Sequence, residues 1–357
     1  MDITKIDRNF ATSFEAPEDL EWYSVREAPF VTYGVFFAEE EGIYRRVPKE
    51  VSDTVNEGVK FLATQTAGGR VRFATDSPYV ALRATEPFDV PFGHMPLAGK
   101  SGFTLFGDGH YVGTYIPGVE LVMNSRQSGS FTFDGLRYKG DAMSEMTLYF
   151  PLYNAVKEVY IGLRRGSRLE APKPYRHEKP ILFYGSSVTQ GGCASKSSDD
   201  YINRLSTWLD ADILNLGFSG SARGEQSIAD YIAAQDVSVF VMDYDYNAPD
   251  AAHLQRTHYP LYKTIRTANP TTPIVFLTMP TFSGCTQPAR FAVIEETYRR
   301  AKEEGDENVY FVSGDGSVGK YATDGEWGLV DGCHPDSLGF YLMAKNLYPT
   351  LDAILNK

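Results

Sequence analysis

The sequence predicts an α/β protein of two domains, an antiparallel, jelly-roll-like β-sandwich followed by a three-layer αβα domain with a parallel sheet. Short β-type segments alternate with turn residues over residues 32–161, whereas apolar runs alternate with helical patterns after residue 180. Between them, residues 171–180 contain three prolines and many charges, which is typical of a linker. We therefore expect an N-terminal domain at residues 1–175 and a C-terminal domain at residues 176–357.

The first half is predicted to consist of strands joined by tight turns. Residues 71–75, 79–83 and 145–150 are rich in Val, Phe, Tyr and Thr, and Gly, Pro and Asp separate such segments. Residues of these types in runs of this length favour strands. A succession of short strands is typical of an antiparallel sandwich or jelly roll.

The second half has the pattern of a parallel sheet covered by helices. Its apolar runs are short and nearly continuous, as in strands buried on both faces, and comprise residues 181–184, 213–216, 237–242, 274–278 and 309–312. Helical patterns occur at residues 202–209, 253–268, 289–304 and 338–355. Because open α/β sheets bind ligands beyond the carboxyl ends of their strands, polar residues that follow the apolar runs are candidate site residues.

The composition of the chain restricts which binding partners and which cellular compartment are expected. The chain has 357 residues, of which 43% are hydrophobic, enough to bury two cores. A formal net charge of −12 argues against binding of a phosphate backbone, so no nucleic-acid partner is expected. No apolar stretch approaches the roughly 18 residues that span a bilayer, so no membrane partner is expected. The first ten residues carry acids and no apolar core, which does not fit a secretory signal and predicts a cytoplasmic protein.

The cysteines also favour a cytoplasmic location. Cys193, Cys285 and Cys333 are an odd number without the spacing of a metal site, which is typical of thiols in a reducing compartment. Neither a metal nor a cofactor is expected.

Two polar segments could supply a nucleophile, a base and an orienting carboxylate. A serine hydroxyl becomes nucleophilic when an imidazole accepts its proton and a carboxylate holds the imidazole in one tautomer. Asp331 and His334 lie three residues apart, close enough to meet on one turn. The apolar run 181–184 stops at a glycine, and Ser186 and Ser187 follow at the predicted strand end, where backbone N–H groups can surround an exposed serine.

These segments belong to four blocks that resemble those of the SGNH, or GDSL-type, hydrolases. Gly-Ser-Ser-Val-Thr-Gln-Gly at residues 185–191 is similar to the first block, and Asn-Leu-Gly-Phe-Ser-Gly at residues 215–220 is similar to the second. Asp-Tyr-Asp-Tyr-Asn at residues 243–247 stands where the third would be, and residues 331–335 match the last, Asp-x-x-His-Pro. The order of the four blocks is that of the family.

The resemblance implies a role for each candidate residue. Ser187 would be the nucleophile, His334 the general base and Asp331 the residue that orients it. The N–H groups of Ser187 and Gly217 and the side-chain amide of Asn247 would form the oxyanion hole.

Two other nucleophiles stay open. Ser186 occupies the place of the aspartate in the family's Gly-Asp-Ser, although Ser187 has the family's offset to the following Val-Thr pair. Cys333 lies between the aspartate and the histidine, but no second histidine is near it in the sequence. The third block lacks the family's glycine and trailing aspartate, so the assignment of Asn247 depends on its position alone.

The first domain carries a weaker resemblance. Gly-Phe-Thr-Leu-Phe at residues 102–106 is similar, with two mismatches, to the Gly-x-Asp-Leu-Tyr signature of a β-domain that precedes some SGNH enzymes. Such a domain could form one wall of the active site or serve as a scaffold. Tyr111 and Tyr115 are expected to be exposed and could stack on sugar faces; the alternative is that the aromatic residues of this β-rich chain mostly fill its core.

Together, these resemblances imply a serine esterase that cleaves acyl esters, above all acetyl esters of carbohydrates or oligosaccharides, through an acyl-enzyme. Three alternatives stay open: an acyltransferase with the same triad, an esterase for a small ester that is not a carbohydrate, and a carbohydrate-binding protein with an inactive hydrolase domain. The expected partner is a small-molecule or oligosaccharide ester. The oligomeric state is left open.

Overall fold

The computed structural model describes residues 14–87, 89, 92–280, 287–314 and 328–357. Cys285 lies outside these ranges. Within them, no helix combines the length and the apolar character that crossing a membrane requires.

The first half forms two antiparallel sheets. Its strands are β1 (Leu20–Ser24), β2 (Val31–Tyr33), β3 (Phe36–Ala38), β4 (Ile43–Arg45), β5 (Arg70–Thr75), β6 (Tyr79–Pro87), β7 (Phe103–Gly107), β8 (His110–Tyr115), β9 (Ser130–Tyr138), β10 (Ser144–Tyr149), β11 (Glu158–Arg164) and β12 (Leu169–Glu170). One sheet has the order β1-β11-β6-β9, and the other has the order β12-β5-β10-β7-β8 with β2 also paired to β5. The strands β3 and β4 form a separate hairpin.

Side chains from both sheets fill a common core, which confirms the predicted β-sandwich. Phe73 and Leu105 come from one sheet, and Leu82, Phe133 and Ile161 come from the other. Alternate residues of β6 are members of this core because successive side chains of a strand point to opposite faces.

In the part of this half that the structure describes, four helices interrupt the strands: α1 (Lys49–Val55), α2 (Glu57–Leu62), α3 (Leu97–Lys100) and α4 (Val119–Ser128). Val51, Val55, Val59 and Leu62 recur at helical spacing, and all four pack against a core of the second half rather than that of the sandwich. The helices α1 and α2 lie outside the predicted β-pattern because their apolar face packs against the neighbouring domain.

The second half alternates strands and helices. Its strands are β13 (His177–Gly185), β14 (Ala211–Gly217), β15 (Val239–Asp243), β16 (Ile274–Leu277) and β17 (Val309–Val312). Its helices are α5 (Ser187–Gln190), α6 (Tyr201–Leu209), α7 (Gln226–Ala233), α8 (Ala251–Ala268), α9 (Pro288–Glu303) and α10 (Ser337–Leu355). The five strands form one parallel sheet in the order β14-β13-β15-β16-β17.

Both faces of this sheet are buried, which confirms the predicted αβα layers. On β13, Leu182 and Tyr184 contribute to the core under α7, α8 and α9, whereas Ile181 and Phe183 contribute to the core under α6 and α10. Burial on both faces explains why the strands read as continuous apolar runs rather than as alternating ones.

The segment predicted as a linker is packed against both halves. The strand β13 begins at His177, inside that segment. The hydroxyl of the buried Tyr175 accepts a hydrogen bond from Arg70 Nε at 2.8 Å, and the guanidinium of Arg72 lies 4.1 Å from the centre of its ring. The boundary between residues 175 and 176 stays a prediction, because residues on both sides of it are held by such contacts.

Candidate active site

The strand β13 ends in a tight turn that presents Ser187. A Cβ at Gly185 would overlap Thr189 Oγ1 and the carbonyl oxygen of Asp243, so the strand end requires a glycine. Ser186 is the N-cap of α5: its Oγ accepts from Val188 N at 3.1 Å, and its N–H donates to Thr189 Oγ1 at 2.9 Å. Because the Ser186 hydroxyl is buried in this cap, Ser187 provides the accessible hydroxyl of the pair.

Ser187, His334 and Asp331 form a continuous chain of hydrogen bonds. Ser187 Oγ lies 2.9 Å from His334 Nε2, and His334 Nδ1 lies 2.8 Å from Asp331 Oδ2. The other carboxylate oxygen, Oδ1, accepts from the backbone N–H groups of Cys333 at 3.1 Å and His334 at 2.8 Å. The carboxylate therefore both shapes the 331–334 turn and holds the ring.

Asp331 is held in its ionised form. Partial burial raises the pKa of Asp331, but the hydrogen bonds from the His334 backbone and ring and the charge of His334 outweigh it and bring the pKa to about 2. A carboxylate on Nδ1 fixes the ring tautomer that leaves a lone pair on Nε2, the atom that faces Ser187. The Ser187 hydroxyl is thus within hydrogen-bonding distance of a ring nitrogen that can accept its proton.

A buried carboxyl group supports the turn from below. Asp243 Oδ2 accepts from Thr189 Oγ1 at 2.8 Å and from the Tyr201 hydroxyl at 2.6 Å. Burial raises the pKa of Asp243 to about 8, and the charge of Asp245 acts in the same direction. At neutral pH, Asp243 therefore anchors the turn mainly as a neutral acid, without a full negative charge behind Ser187.

Gly217, a predicted oxyanion donor, is the last residue of β14. The Gly217 N–H donates to Asn215 Oδ1 at 2.8 Å, and the Gly217 carbonyl accepts from Arg46 at 2.6 Å. Both backbone groups of Gly217 are thus engaged inside the protein. By contrast, the Ser187 N–H donates no hydrogen bond to any residue within the described ranges.

Asn247 lies beside a different glycine. Its Nδ2 donates to the Phe218 carbonyl at 2.8 Å, and its Oδ1 accepts from the Gly220 N–H at 3.1 Å. Gly220 has a φ of +66° and open space where a Cβ would be, so its amide lies on an uncrowded turn. Ser219 N donates to Gln190 Oε1 at 3.1 Å, which ties this turn to the end of α5.

Arg46 holds the Asn215–Gly217 strand end from behind. This fully buried guanidinium donates to four carbonyl oxygens, those of Leu62 and Gln65 at 2.7 Å each, Asn215 at 3.0 Å and Gly217 at 2.6 Å. Desolvation lowers the pKa of Arg46 to about 9, which still leaves the group charged at neutral pH. Sequence reasoning missed Arg46 because these partners include residues about 170 positions further along the chain.

The first half contributes three more side chains near Ser187. The Tyr153 hydroxyl donates to the Ser187 carbonyl at 3.0 Å, and the ring of Phe92 packs against Tyr153 with centroids 5.8 Å apart. The ring of His94 lies 5.5 Å from that of His334. No local motif marks these residues; only the docking of the two halves brings them to the site.

Of the two predicted sugar-stacking tyrosines, one is exposed. Tyr111 is 55% exposed, and the ammonium of Lys196 lies 5.4 Å from its ring centre. The expectation that Tyr115 is exposed is wrong: this side chain is buried, and its hydroxyl donates to the Val80 carbonyl at 2.8 Å. In the 102–106 segment, Thr104 Oγ1 accepts from Ser197 Oγ at 2.9 Å, so the segment contacts the loop that follows the Ser187 turn.

The parallel sheet, the residues beyond its carboxyl edge and the preceding β-sandwich define an SGNH-hydrolase fold. Residues 178–352 match the model of the GDSL-like lipase/acylhydrolase family, and residues 20–169 match that of the GxDLY N-terminus of SGNH-hydrolase-type esterases. The chain therefore belongs to the GDSL-like lipase/acylhydrolase family, in the form that carries this N-terminal domain. None of the functionally curated proteins matches it.

Solved structures share the fold over nearly the whole chain. A protein from Bacteroides ovatus assigned as a GDSL-like lipase is 27% identical, with 94% of this chain and 98% of that chain covered and a TM-score of 0.81. A salicylyl-acyltransferase from a tetracycline biosynthetic pathway is 18% identical, with coverages of 95% and 98% and a TM-score of 0.77. An acetyl xylan esterase from the rumen bacterium Butyrivibrio proteoclasticus is 14% identical, with coverages of 94% and 99% and a TM-score of 0.61. The last two are similar in fold alone.

Proposed function

We propose that this protein is a serine esterase that removes acetyl groups from carbohydrates or oligosaccharides. The observation that carries the proposal is the hydrogen-bonded series from Ser187 through His334 to Asp331, with distances of 2.9 Å and 2.8 Å. That arrangement meets the requirement for activating a serine hydroxyl, since base and nucleophile are within direct proton-transfer distance.

The proposed reaction has two steps. His334 Nε2 takes the proton of Ser187 while Oγ attacks the ester carbonyl carbon, and the protonated ring then gives that proton to the leaving alcohol. Water attacks the resulting acyl-serine, again with His334 as base, and releases the acid. Asp331 stays ionised throughout and stabilises the imidazolium.

The oxyanion would be held by three donors at the end of the sheet. We assign the Ser187 N–H and the Asn247 side-chain amide to this role, as the sequence predicts. For the third donor we propose the Gly220 N–H instead of that of Gly217, because the Gly217 N–H already donates to a buried Asn215 side chain. The carbonyl oxygen of the substrate would replace Asn247 Oδ1 as the acceptor for Gly220.

The proposed substrate class is inferred from solved structures of similar fold. Structures of similar fold include an acetyl xylan esterase and a family two carbohydrate esterase from Cellvibrio japonicus, the latter 14% identical with a TM-score of 0.60. We propose by analogy that the substrate is an acetylated oligosaccharide. A cytoplasmic location, as predicted from the sequence, would direct the enzyme to oligosaccharides that have been imported.

Acetate release from acetylated xylo- and manno-oligosaccharides tests this proposal, with an activated aryl acetate assayed in parallel. The wild type should release acetate from both kinds of substrate, and Ser187→Ala should release none above background. Ser186→Ala is the matched control: it loses the helix cap, at a cost of about 1 kcal/mol, but keeps the nucleophile and should retain measurable activity. If Ser186→Ala is inactive while Ser187→Ala is active, the assignment of the nucleophile is refuted.

An acyltransferase is the second candidate, since the fold is also that of a salicylyl-acyltransferase. Both activities share the acyl-enzyme and differ in whether water or an alcohol discharges it. Product analysis with an added sugar or simple alcohol separates them, because a transferase forms the new ester at the expense of free acid. If the aryl acetate alone is cleaved and no transfer product forms, a small ester outside the carbohydrates becomes the leading substrate class.

A further inference from the structure

Three side chains of metal-binding type converge at the mouth of the proposed active site. His94, Cys193 and His334 each offer one ligand atom, and these atoms all lie within 4.8 Å of one another. They come from three separate segments of the chain, and His94 belongs to the N-terminal half. The two imidazole rings lie with their centroids 5.5 Å apart and their planes at 38°.

The donor set fits a divalent cation of borderline softness. Zn²⁺ binds imidazole nitrogen at about 2.0–2.1 Å and thiolate sulfur at about 2.3 Å, in tetrahedral geometry. Such a site places neighbouring ligand atoms roughly 3.5 Å apart. The ligand atoms of the present cluster would therefore have to approach one another by at most roughly 1.3 Å, and the exposed side chain of His94 can rotate toward the other two ligands.

Asp331 already holds His334 as a metal-bound histidine is usually held. A ligating histidine commonly gives its second ring N–H to a carboxylate, which fixes the tautomer and increases the basicity of the ligating nitrogen. Here Nδ1 contacts Asp331 at 2.8 Å and leaves Nε2 as the ligand atom. The thiolate of Cys193 and the carboxylate of Asp331 would together balance the two positive charges of the ion.

We propose that His94, Cys193 and His334 bind one divalent cation such as Zn²⁺, and that the bound ion withdraws His334 from Ser187. The cation displaces the thiol proton of Cys193 to solvent and occupies the lone pair of His334 Nε2. Water or the Ser187 hydroxyl fills the fourth position. The ion is thus an inhibitor of the site: it competes with the 2.9 Å hydrogen bond between Ser187 and His334. The binding site stands on geometry alone, whereas its inhibitory effect rests on the proposed function.

Direct binding tests the site without any enzymatic readout. Metal-free protein is titrated with Zn²⁺ by calorimetry and with Co²⁺ by absorption spectroscopy, in which a thiolate ligand produces a charge-transfer band in the near ultraviolet. The wild type should bind one ion and show the band. His94→Ala should bind at least tenfold more weakly, because it removes one of the three ligands.

Cys193→Gly is the second variant. Cys193 has a φ of +72°, a backbone conformation that glycine adopts without strain, so this variant should fold. It should lose the band, and His177→Ala, which removes a histidine from the opposite end of β13, should bind as the wild type does. Wild-type affinity in both His94→Ala and Cys193→Gly, or a Co²⁺ complex without the thiolate band, overturns the proposal.

Hydrolysis of an aryl acetate then tests inhibition. Saturating Zn²⁺ should slow the wild type at least tenfold, a chelator should restore the rate, and Cys193→Gly should be less sensitive relative to its own metal-free rate. If the enzyme is active but binds no Zn²⁺, the proposed metal site is refuted and the proposed esterase activity is not. If the protein binds Zn²⁺ as described but cleaves no ester, the proposed metal site is supported and the proposed esterase activity is refuted.

Discussion

Replacing Asp331 by asparagine should disable the site while leaving the fold intact. The carboxylate accepts two backbone hydrogen bonds through Oδ1 and contacts the ring of His334 through Oδ2. An asparagine can keep both backbone bonds with its carbonyl oxygen. Its NH₂ group, however, would face Nδ1 as a donor and move the ring proton to Nε2, which then cannot accept the proton of Ser187.

The expected loss follows from the environment of this pair. In serine proteases, a comparable change of a buried aspartate lowers kcat about 10⁴-fold because it selects the wrong tautomer. The side chain of Asp331 is 34% exposed and that of His334 is 18% exposed, so water can partly substitute for the lost interaction. We therefore expect a loss of about 10³-fold in kcat, or about 4 kcal/mol of transition-state stabilisation at 1.36 kcal/mol for each factor of ten.

The assay measures kcat and kcat/KM for an aryl acetate, together with the thermal unfolding midpoint. Asp336→Asn is the matched control: Asp336 caps α10 through the N–H groups of Leu338 and Gly339, and asparagine caps equally well. Both variants should unfold close to the wild-type temperature, and only Asp331→Asn should be slow. An Asp331→Asn enzyme that keeps more than about a tenth of the wild-type kcat/KM would refute the orienting role.

Two further predictions concern neighbouring groups. Asn247→Ala should lower kcat by about a hundredfold if the Asn247 amide binds the oxyanion. Asn247→Asp keeps an acceptor for the Gly220 N–H but has no donor for the oxyanion. An active Asn247→Asp enzyme would therefore indicate that Asn247 only holds the turn. Asp243 has a pKa raised from near 4 to about 8, so the stability it contributes is complete below about pH 4 and is lost as the pH rises toward 8. The free energy of unfolding, measured by urea titration, should therefore decrease less between pH 5 and pH 8 for Asp243→Asn than for the wild type. Equal decreases would contradict the raised pKa of Asp243.

Local sequence patterns predicted the layers of the fold because buried positions are occupied mainly by apolar residues. Strands covered on both faces read as continuous apolar runs, and the β17 run matches the predicted range 309–312 residue for residue. The helices α1 and α2 were missed although their valines recur at helical spacing, because a β-rich region offered no reason to expect apolar faces directed at another domain. The burial of Tyr115 was missed for a related reason: composition does not tell which face of β8 is covered.

The candidate site likewise contains residues that local spacing could predict and residues that only tertiary packing brings together. Asp331 and His334 could be paired from sequence, since three residues of separation allow one turn to join them. The sequence pointed to Gly217 as an oxyanion donor, and the proposal of Gly220 in its place needed the structure, because only there is the Gly217 N–H seen to donate to the side chain of Asn215. Cys193 and His94 carry no metal-like spacing, and yet the fold brings them to the base.

The sequence by itself determined the class of fold and the candidate nucleophile, base and carboxylate, because these depend on periodicity and on short spacings along the chain. The tertiary structure decided which serine hydroxyl is accessible and which backbone amides are already engaged. It also brought three side chains of the first half to the site, where Arg46 contacts the end of β14, His94 lies beside His334 and Tyr153 contacts Ser187. These are outcomes of packing between distant segments, where hydrogen bonds must be satisfied in three dimensions, and no local pattern encodes them.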